Sequence, residues 1–381
     1  MTASDILREL VAIPTPSSVS NVPLLDWVAG FLKRRGWRAE FFPYEDEAGV
    51  AKANLIAWQS SVERPEFFDL AFVCHTDTVP YAANWAGALA LEQRGDALHG
   101  CGSCDVKGAL ACFLAAVASL ESPAVRPQIA LILTADEEIG CKGMERLLNA
   151  TKLRIGSAIV SEPTSLQAGI AGKGYGLARI TIEGREAHSA FPKQGVSAIS
   201  AAVRLISRIE ARFSSQIDDF KSDALFDPPR TTLNIGMIEG GTAKNIIPGC
   251  CSFLVEWRAI PGETPSAVLE SLRELAAIET DVRLSIHVEG LRGEPGFSPA
   301  EQGPLQLRLA QKLGGKPIGI SFGSEASRIA RIADEVIVIG PGDMRTAHSD
   351  RECVPIVELE RWTAVLISLM RDCIGDAAQM L

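Results

Sequence analysis

Four short apolar runs, 70–75 (LAFVCH), 128–134 (QIALILT), 157–160 (SAIV) and 335–339 (EVIVI), are spaced along the chain with helical segments such as 106–120 (VKGALACFLAAVASL) between them. Runs this short and this continuously apolar suit strands buried on both faces, and strands that alternate with helices build a parallel sheet covered on both sides. Each run also ends in polar residues of one kind. LAFVC is followed by His75, Thr76 and Asp77; QIALILTA by Asp136, Glu137 and Glu138; SAIV by Ser161 and Glu162; EVIVIG by PGDMRTA and then His348. In open α/β sheets, ligands gather at the carboxyl ends of the strands.

At the amino end, Ser4 is placed to cap a short helix that must end by Pro14 or Pro16. Asn21 with Pro23 marks a second helix start, with Leu25, Val28 and Leu32 on one face and Gly36 as its stop. From about residue 176 the texture changes. GLARITIEG, TTLNIGMIEGG, CSFLVEWRA and VRLSIHVEG alternate apolar and polar residues, as strands of a half-exposed antiparallel sheet do, with helices near 195–213 and 264–277 between them. The expected architecture is therefore α/β: a mostly parallel-sheet domain formed by 1–175 and 292–381, with an α+β domain at 176–291 inserted into it. A chain of 381 residues exceeds the usual size of one compact domain, which agrees with two.

A single His after a strand is usually a loop residue, a Glu pair is usually a solvated helix start, and a lone Asp such as Asp105 in a Gly-rich loop is usually a turn or cap. Those readings would have to hold several times over here. The chain has 5 histidines, and two of them follow apolar strands. Zinc takes imidazole and carboxylate ligands, and a catalytic site keeps a position for water. Two His and three carboxylates suit a pair of ions bridged by one Asp. Such ions, roughly 3.5–4 Å apart, activate water and polarise a carbonyl together. A further carboxylate that binds no metal can move the proton, and Glu137 beside Glu138 supplies one.

The segments VCHTDTVP (73–80), GCGSCDVKG (100–108), TADEEIGCKG (134–143), VSEPT (160–164), AHSAFPKQGVSAI (187–199), GGTAKNIIP (240–248) and GPGDMRTAHSDRECV (340–354) span nearly the whole chain. In this order they resemble the dinuclear zinc deacylases and exopeptidases, the family of acetylornithine deacetylase, succinyl-diaminopimelate desuccinylase, aminoacylase and carboxypeptidase G. The resemblance implies a metallohydrolase domain with an inserted dimerisation (lid) domain and two Zn²⁺ per subunit, with Co²⁺ also accepted. By the same resemblance, His75 and Glu162 would bind one ion, Glu138 and His348 the other, and Asp105 both. Asp77 would orient His75, and Glu137 would be the general base and then the acid. His188 would reach the neighbouring subunit's site in a homodimer and steady the oxyanion. Asn245 and Arg258 would hold a small N-acyl amino acid, Arg258 by its carboxylate.

Within that family, the 340–354 segment with Phe322-Gly323-Ser324-Glu325-Ala326-Ser327 upstream looks most like the acetylornithine deacetylases of arginine biosynthesis. Glu325 would then face a cationic substrate side chain. Many relatives read Gly-Arg-Gly before the bridging Asp, whereas this chain has Gly100-Cys101-Gly102. Cys101 and Cys104 flank the expected site as reduced thiols open to oxidation. A net charge of −10 offers no basic track for nucleic acid. No secretory signal or membrane-length apolar stretch is read, so a cytoplasmic enzyme is expected. The contrasting class, a metal-free scaffold of the same fold, would have no need of this full set of His, Asp and Glu.

Overall fold

The computed structural model describes residues 1–59, 63–120, 128–214, 222–279, 281–301 and 303–378. Eight strands form one large sheet in the order Trp37–Glu45, Ala51–Gln59, Ile129–Thr134, Phe67–His75, Arg154–Val160, Ala333–Val338, Gly169–Gly172 and Ile318–Ile320. The four from Ile129–Thr134 to Ala333–Val338 are mutually parallel, and their register sets His75 beside Thr134, and Val160 beside both Val73 and Val338. Their carboxyl ends therefore lie along one edge. Ala51–Gln59 joins this block antiparallel, and Trp37–Glu45 continues antiparallel from it.

The apolar runs are strands for the reason their composition gives. Ile129–Thr134 is buried throughout, and Phe67–His75 is buried from Leu70 onward, as sheet strands covered on both faces must be. Helix Lys107–Ser119 is buried from Lys107 to Val117 and packs against helices Ala3–Val11 and Ile356–Ala378. A helix buried on every side reads as apolar all round rather than amphipathic. Phe113 anchors it to the sheet by stacking on Phe72 at 4.9 Å between ring centroids.

One local expectation is corrected. The first helix is capped by Thr2, not Ser4: the Thr2 side chain accepts from Asp5 N while the Asp5 carboxylate accepts from Thr2 N. This reciprocal box satisfies two donors at once, which Ser4 could not do from inside the helix. Asn21 does precede helix Val22–Lys33, but its side chain caps nothing. Its amide donates instead to Ala53 O and Thr76 Oγ1, tying the helix start to the sheet.

The chain divides into a compact unit formed by Met1–Ile170, Pro299–Ile318 and Ser324–Leu381, and a second formed by Ala171–Ser298 with Gly319–Gly323. The second unit holds a four-stranded antiparallel sheet in the order Thr232–Gly240, Cys250–Arg258, Tyr175–Glu183, Ser285–Glu294. Burial alternates along Tyr175–Glu183 and along Cys250–Arg258, so one face of the sheet is apolar. Helices Ala198–Ser214 and Pro265–Ala277 pack on it around Trp257, Phe253 and Ile180. Among the described residues no helix is long and apolar enough to cross a membrane.

Candidate functional site

Four of the chemistry-bearing residues of the first unit arise where the parallel strands end. His75 is the last residue of its strand, Glu138 lies four residues past Thr134, Glu162 two past Val160, and His348 ten past Val338. Asp105 comes from the loop that enters helix Lys107–Ser119. The two oxygens of Asp105 face different imidazoles: Oδ1 lies 3.0 Å from His75 Nε2, and Oδ2 lies 3.1 Å from His348 Nε2. Glu138 Oε2 is 3.2 Å from the same His348 nitrogen. Two sets result, His75–Asp105–Glu162 and Asp105–Glu138–His348, and in each the ligand atoms lie within 4.8 Å of one another. Asp105 is the member they share.

The electrostatics of the cluster favour cations. Burial opposes ionisation of Asp105, but hydrogen bonds from His348 and His75 overcome this and hold its carboxyl well below the usual range. Hydrogen bonds to Asp105 and Glu138 push His348 up to about 10. Burial, with Asp105 nearby, drives Glu162 well above the ordinary carboxyl range, and burial raises Glu137 to about 8. Buried acids crowded in this way repel one another, and a multivalent cation removes the conflict. Glu138 Oε1 is buried and has no hydrogen-bond partner among the described residues. An orphaned oxygen, two imidazoles and a carboxylate placed to bridge make up a donor set that fits a pair of divalent ions.

Asp77 meets the His75 ring through its backbone. His75 Nδ1 is 2.9 Å from the backbone carbonyl of Asp77, whereas the Asp77 carboxylate is 3.8 Å away. The carbonyl can only accept, so Nδ1 donates to it, and Nε2, which faces Asp105, is the ring nitrogen left for a metal ion. The Asp77 carboxylate has another task. It accepts the backbone N–H of Glu137 at 3.0 Å, that of Glu138 at 3.3 Å, and the hydroxyl of Ser17 at 2.7 Å. Asp77 thus fixes the turn that presents Glu137 and Glu138. Glu137 belongs to neither ligand set.

Glu352 also matters, and nothing local in the sequence marks it out. It is buried, and its Oε1 accepts from Cys104 N at 3.0 Å and from Asp105 N at 3.1 Å. It joins the loop of the shared aspartate to the chain just past His348, across more than two hundred residues of sequence. Its one signal in the sequence is its place in the 340–354 segment.

Glu325 is buried beside the cluster, and its Oε1 has no hydrogen-bond partner among the described residues. It is 1% exposed, and Oε2 accepts from the hydroxyl of Thr134 at 2.8 Å. This bond ties Glu325 to the end of a central strand. Cys101 and Cys104 are free and buried, and burial raises both thiols, Cys101 to about 11. Few thiolates form under such conditions, so the expected susceptibility to oxidation has no support here. In the second unit, His188 is exposed, and its Nδ1 accepts from Ala190 N at 3.1 Å. Asn245 is exposed, and its carbonyl accepts from Ser189 N at 2.9 Å. Arg258 pairs with Glu256 at 2.8 Å and lies over the Tyr175 ring, 4.7 Å from its centroid.

Comparison with known proteins meets this geometry. Residues 170–281 match the model of the M20 peptidase dimerisation domain. An acetylornithine deacetylase from Myxococcus xanthus is 41% identical over 364 residues, 94% of each chain. This chain belongs to the M20 family of peptidases and deacylases. Its fold is shared by a tripeptidase from Staphylococcus aureus, 22% identical with a TM-score of 0.76 over 97% of each chain. A Bacillus subtilis peptidase described as dinuclear metal binding is 14% identical, with a TM-score of 0.66 over 97% of this chain and 98% of that one. As an M20 member with a candidate metal site, the chain is a hydrolase of the metal-dependent deacylase and peptidase kind.

Proposed function

We propose that this M20 hydrolase removes the acetyl group from N-acetylornithine, using two Zn²⁺ ions, for which Co²⁺ can substitute, shared by Asp105. One observation carries the metal reading: each oxygen of Asp105 faces a different imidazole. The substrate reading is supported by the relative at 41% identity, itself an acetylornithine deacetylase. His75 and Glu162 would hold one ion, and Glu138 and His348 the other.

When bound, the ions supply Lewis acidity toward the amide carbonyl and lower the pKa of the attacking water. The residues do the rest. Glu137 takes a proton from the water as its oxygen bonds to the acyl carbon, then delivers that proton to the amide nitrogen as the C–N bond breaks. Acetate and the free amine leave. Glu137 stands beside the ligand Glu138 yet belongs to neither ligand set, which suits a group that must both accept and return a proton. His188 accepts from Ala190 N at Nδ1, so Nε2 carries a proton and can donate to a developing oxyanion. Asn245 and Arg258 are the proposed substrate contacts. Arg258 already pairs with Glu256, so a substrate carboxylate would compete for a guanidinium that is in place.

Turnover on N-acetylornithine, N-acetylcitrulline, N-acetylmethionine, N-succinyl-diaminopimelate and simple dipeptides, after chelation and metal return, tests the reading. The expected result is metal-restored activity that peaks on N-acetylornithine. A peak on the succinyl substrate or on dipeptides would move the chain to another branch of the family. No metal-dependent turnover on any of them would overturn the proposal.

The dimerisation-domain match supports a homodimer, in which His188 would serve the partner's site. Mixing inactive Glu137→Gln and His188→Ala chains then makes hybrids with one complete site each. At equal mixing about a quarter of the sites regain full machinery. Activity that stays at the level of the parents after verified subunit exchange would show that His188 does not act in trans.

A further inference from the structure

Lys52, in strand Ala51–Gln59, is among the largest fully buried side chains of the protein. A buried ammonium is costly unless its protons are taken up and its charge is met. Here both conditions hold. Nζ donates to Ser17 O at 2.7 Å and to Val19 O at 2.7 Å, and lies 3.1 Å from Asp136 Oδ1. Asp136 Oδ1 has no hydrogen-bond partner among the described residues, so the Lys52 charge is its compensation, while Oδ2 accepts from Tyr44 OH at 2.8 Å.

These contacts close a ring. Lys52 grips the 17–19 segment, and Ser17 Oγ holds Asp77. Asp77 accepts the backbone N–H groups of Glu137 and Glu138. Asp136 stands directly before Glu137 with φ 58°, in the left-handed region that residues other than glycine seldom adopt. Such a conformation persists only where its surroundings fix it. Asp136 is fixed by Lys52, which returns the ring to its start.

We propose that Lys52 is a positioning residue for the hydrolytic reaction: it closes the ring Lys52–Ser17–Asp77–Glu137–Asp136 and so sets where the Glu137 carboxylate points. The inference rests on Glu137 as the proton carrier. No member of the ring belongs to either ligand set. Loss of Lys52 should therefore lower kcat and leave KM and metal content in place.

The test uses the metal-loaded full-length protein. Lys52→Met leaves the Asp136 carboxylate buried without a cation and should lower both Tm and kcat. Lys52→Met/Asp136→Asn removes the unmatched charge as well, so it should recover much of the Tm while kcat remains low, on the order of 10²-fold below wild type, the scale of a misplaced catalytic group. KM should stay within about twofold, and bound metal at the wild-type level. A double variant with wild-type kcat, or a kcat loss that follows loss of metal one for one, would overturn the positioning role. Glu137→Gln is measured alongside: if it is inactive while the double variant is normal, only the Lys52 inference falls, whereas an active Glu137→Gln removes the base on which the inference stands.

Discussion

Asp105→Asn is expected to keep the fold and lose most of the bound metal and turnover. The substitution preserves size and one carbonyl oxygen, but it replaces the second oxygen and removes the charge. Asp105 is the only residue common to both ligand sets, and each of its oxygens faces one imidazole. An amide at this position can serve one ion and presents an NH₂ group to the other. The backbone N–H of residue 105 still donates to Glu352, so the loop stays anchored. Ions in such sites contribute several kcal/mol of transition-state stabilisation, so turnover should fall by on the order of 10³-fold or more. Metal content per chain together with thermal unfolding checks this. Two ions retained at wild-type affinity would exclude Asp105 as the bridge.

Glu137→Gln is expected to have the complementary phenotype: full metal content and little turnover. Glu137 belongs to neither ligand set, and its backbone N–H, which donates to Asp77, is unchanged by the substitution. A Gln side chain is the same size but cannot accept and return a proton. General acid–base groups contribute roughly 10²–10⁴-fold, and kcat should drop by that range. Turnover near normal with both ions bound would remove Glu137 from the proton path.

The contrast between these two variants reflects what the sequence makes legible. The central strands are short apolar runs, and the parallel sheet follows from their burial on both faces, a property that each run carries in its own composition. Because parallel strands end on one edge, the convergence of His75, Glu138, Glu162 and His348 is legible in the chain itself. Asp105 is different: it sits in a loop, and its place follows only from the family motif.

Other parts of the site are hidden in the sequence because they depend on contacts between distant segments. Glu352 holds the Asp105 loop from more than two hundred residues away, and Lys52 reaches Asp136 across the sheet. Neither leaves a periodic trace. The motif singles out Asp77 but does not say which of its atoms meets the imidazole, here a backbone carbonyl rather than the carboxylate. Glu325 shows the same limit from the other side. Its charge invites a role in cation recognition, but its burial and its bond to Thr134 have no mark in the sequence.

The shared carboxylate can be tested most directly by anomalous diffraction at the zinc edge from crystals of the zinc-loaded protein. Two peaks are predicted, one beside His75, Asp105 Oδ1 and Glu162, the other beside His348, Asp105 Oδ2 and Glu138. A single peak, or two peaks that do not have the Asp105 carboxylate between them, would contradict the two-ion site.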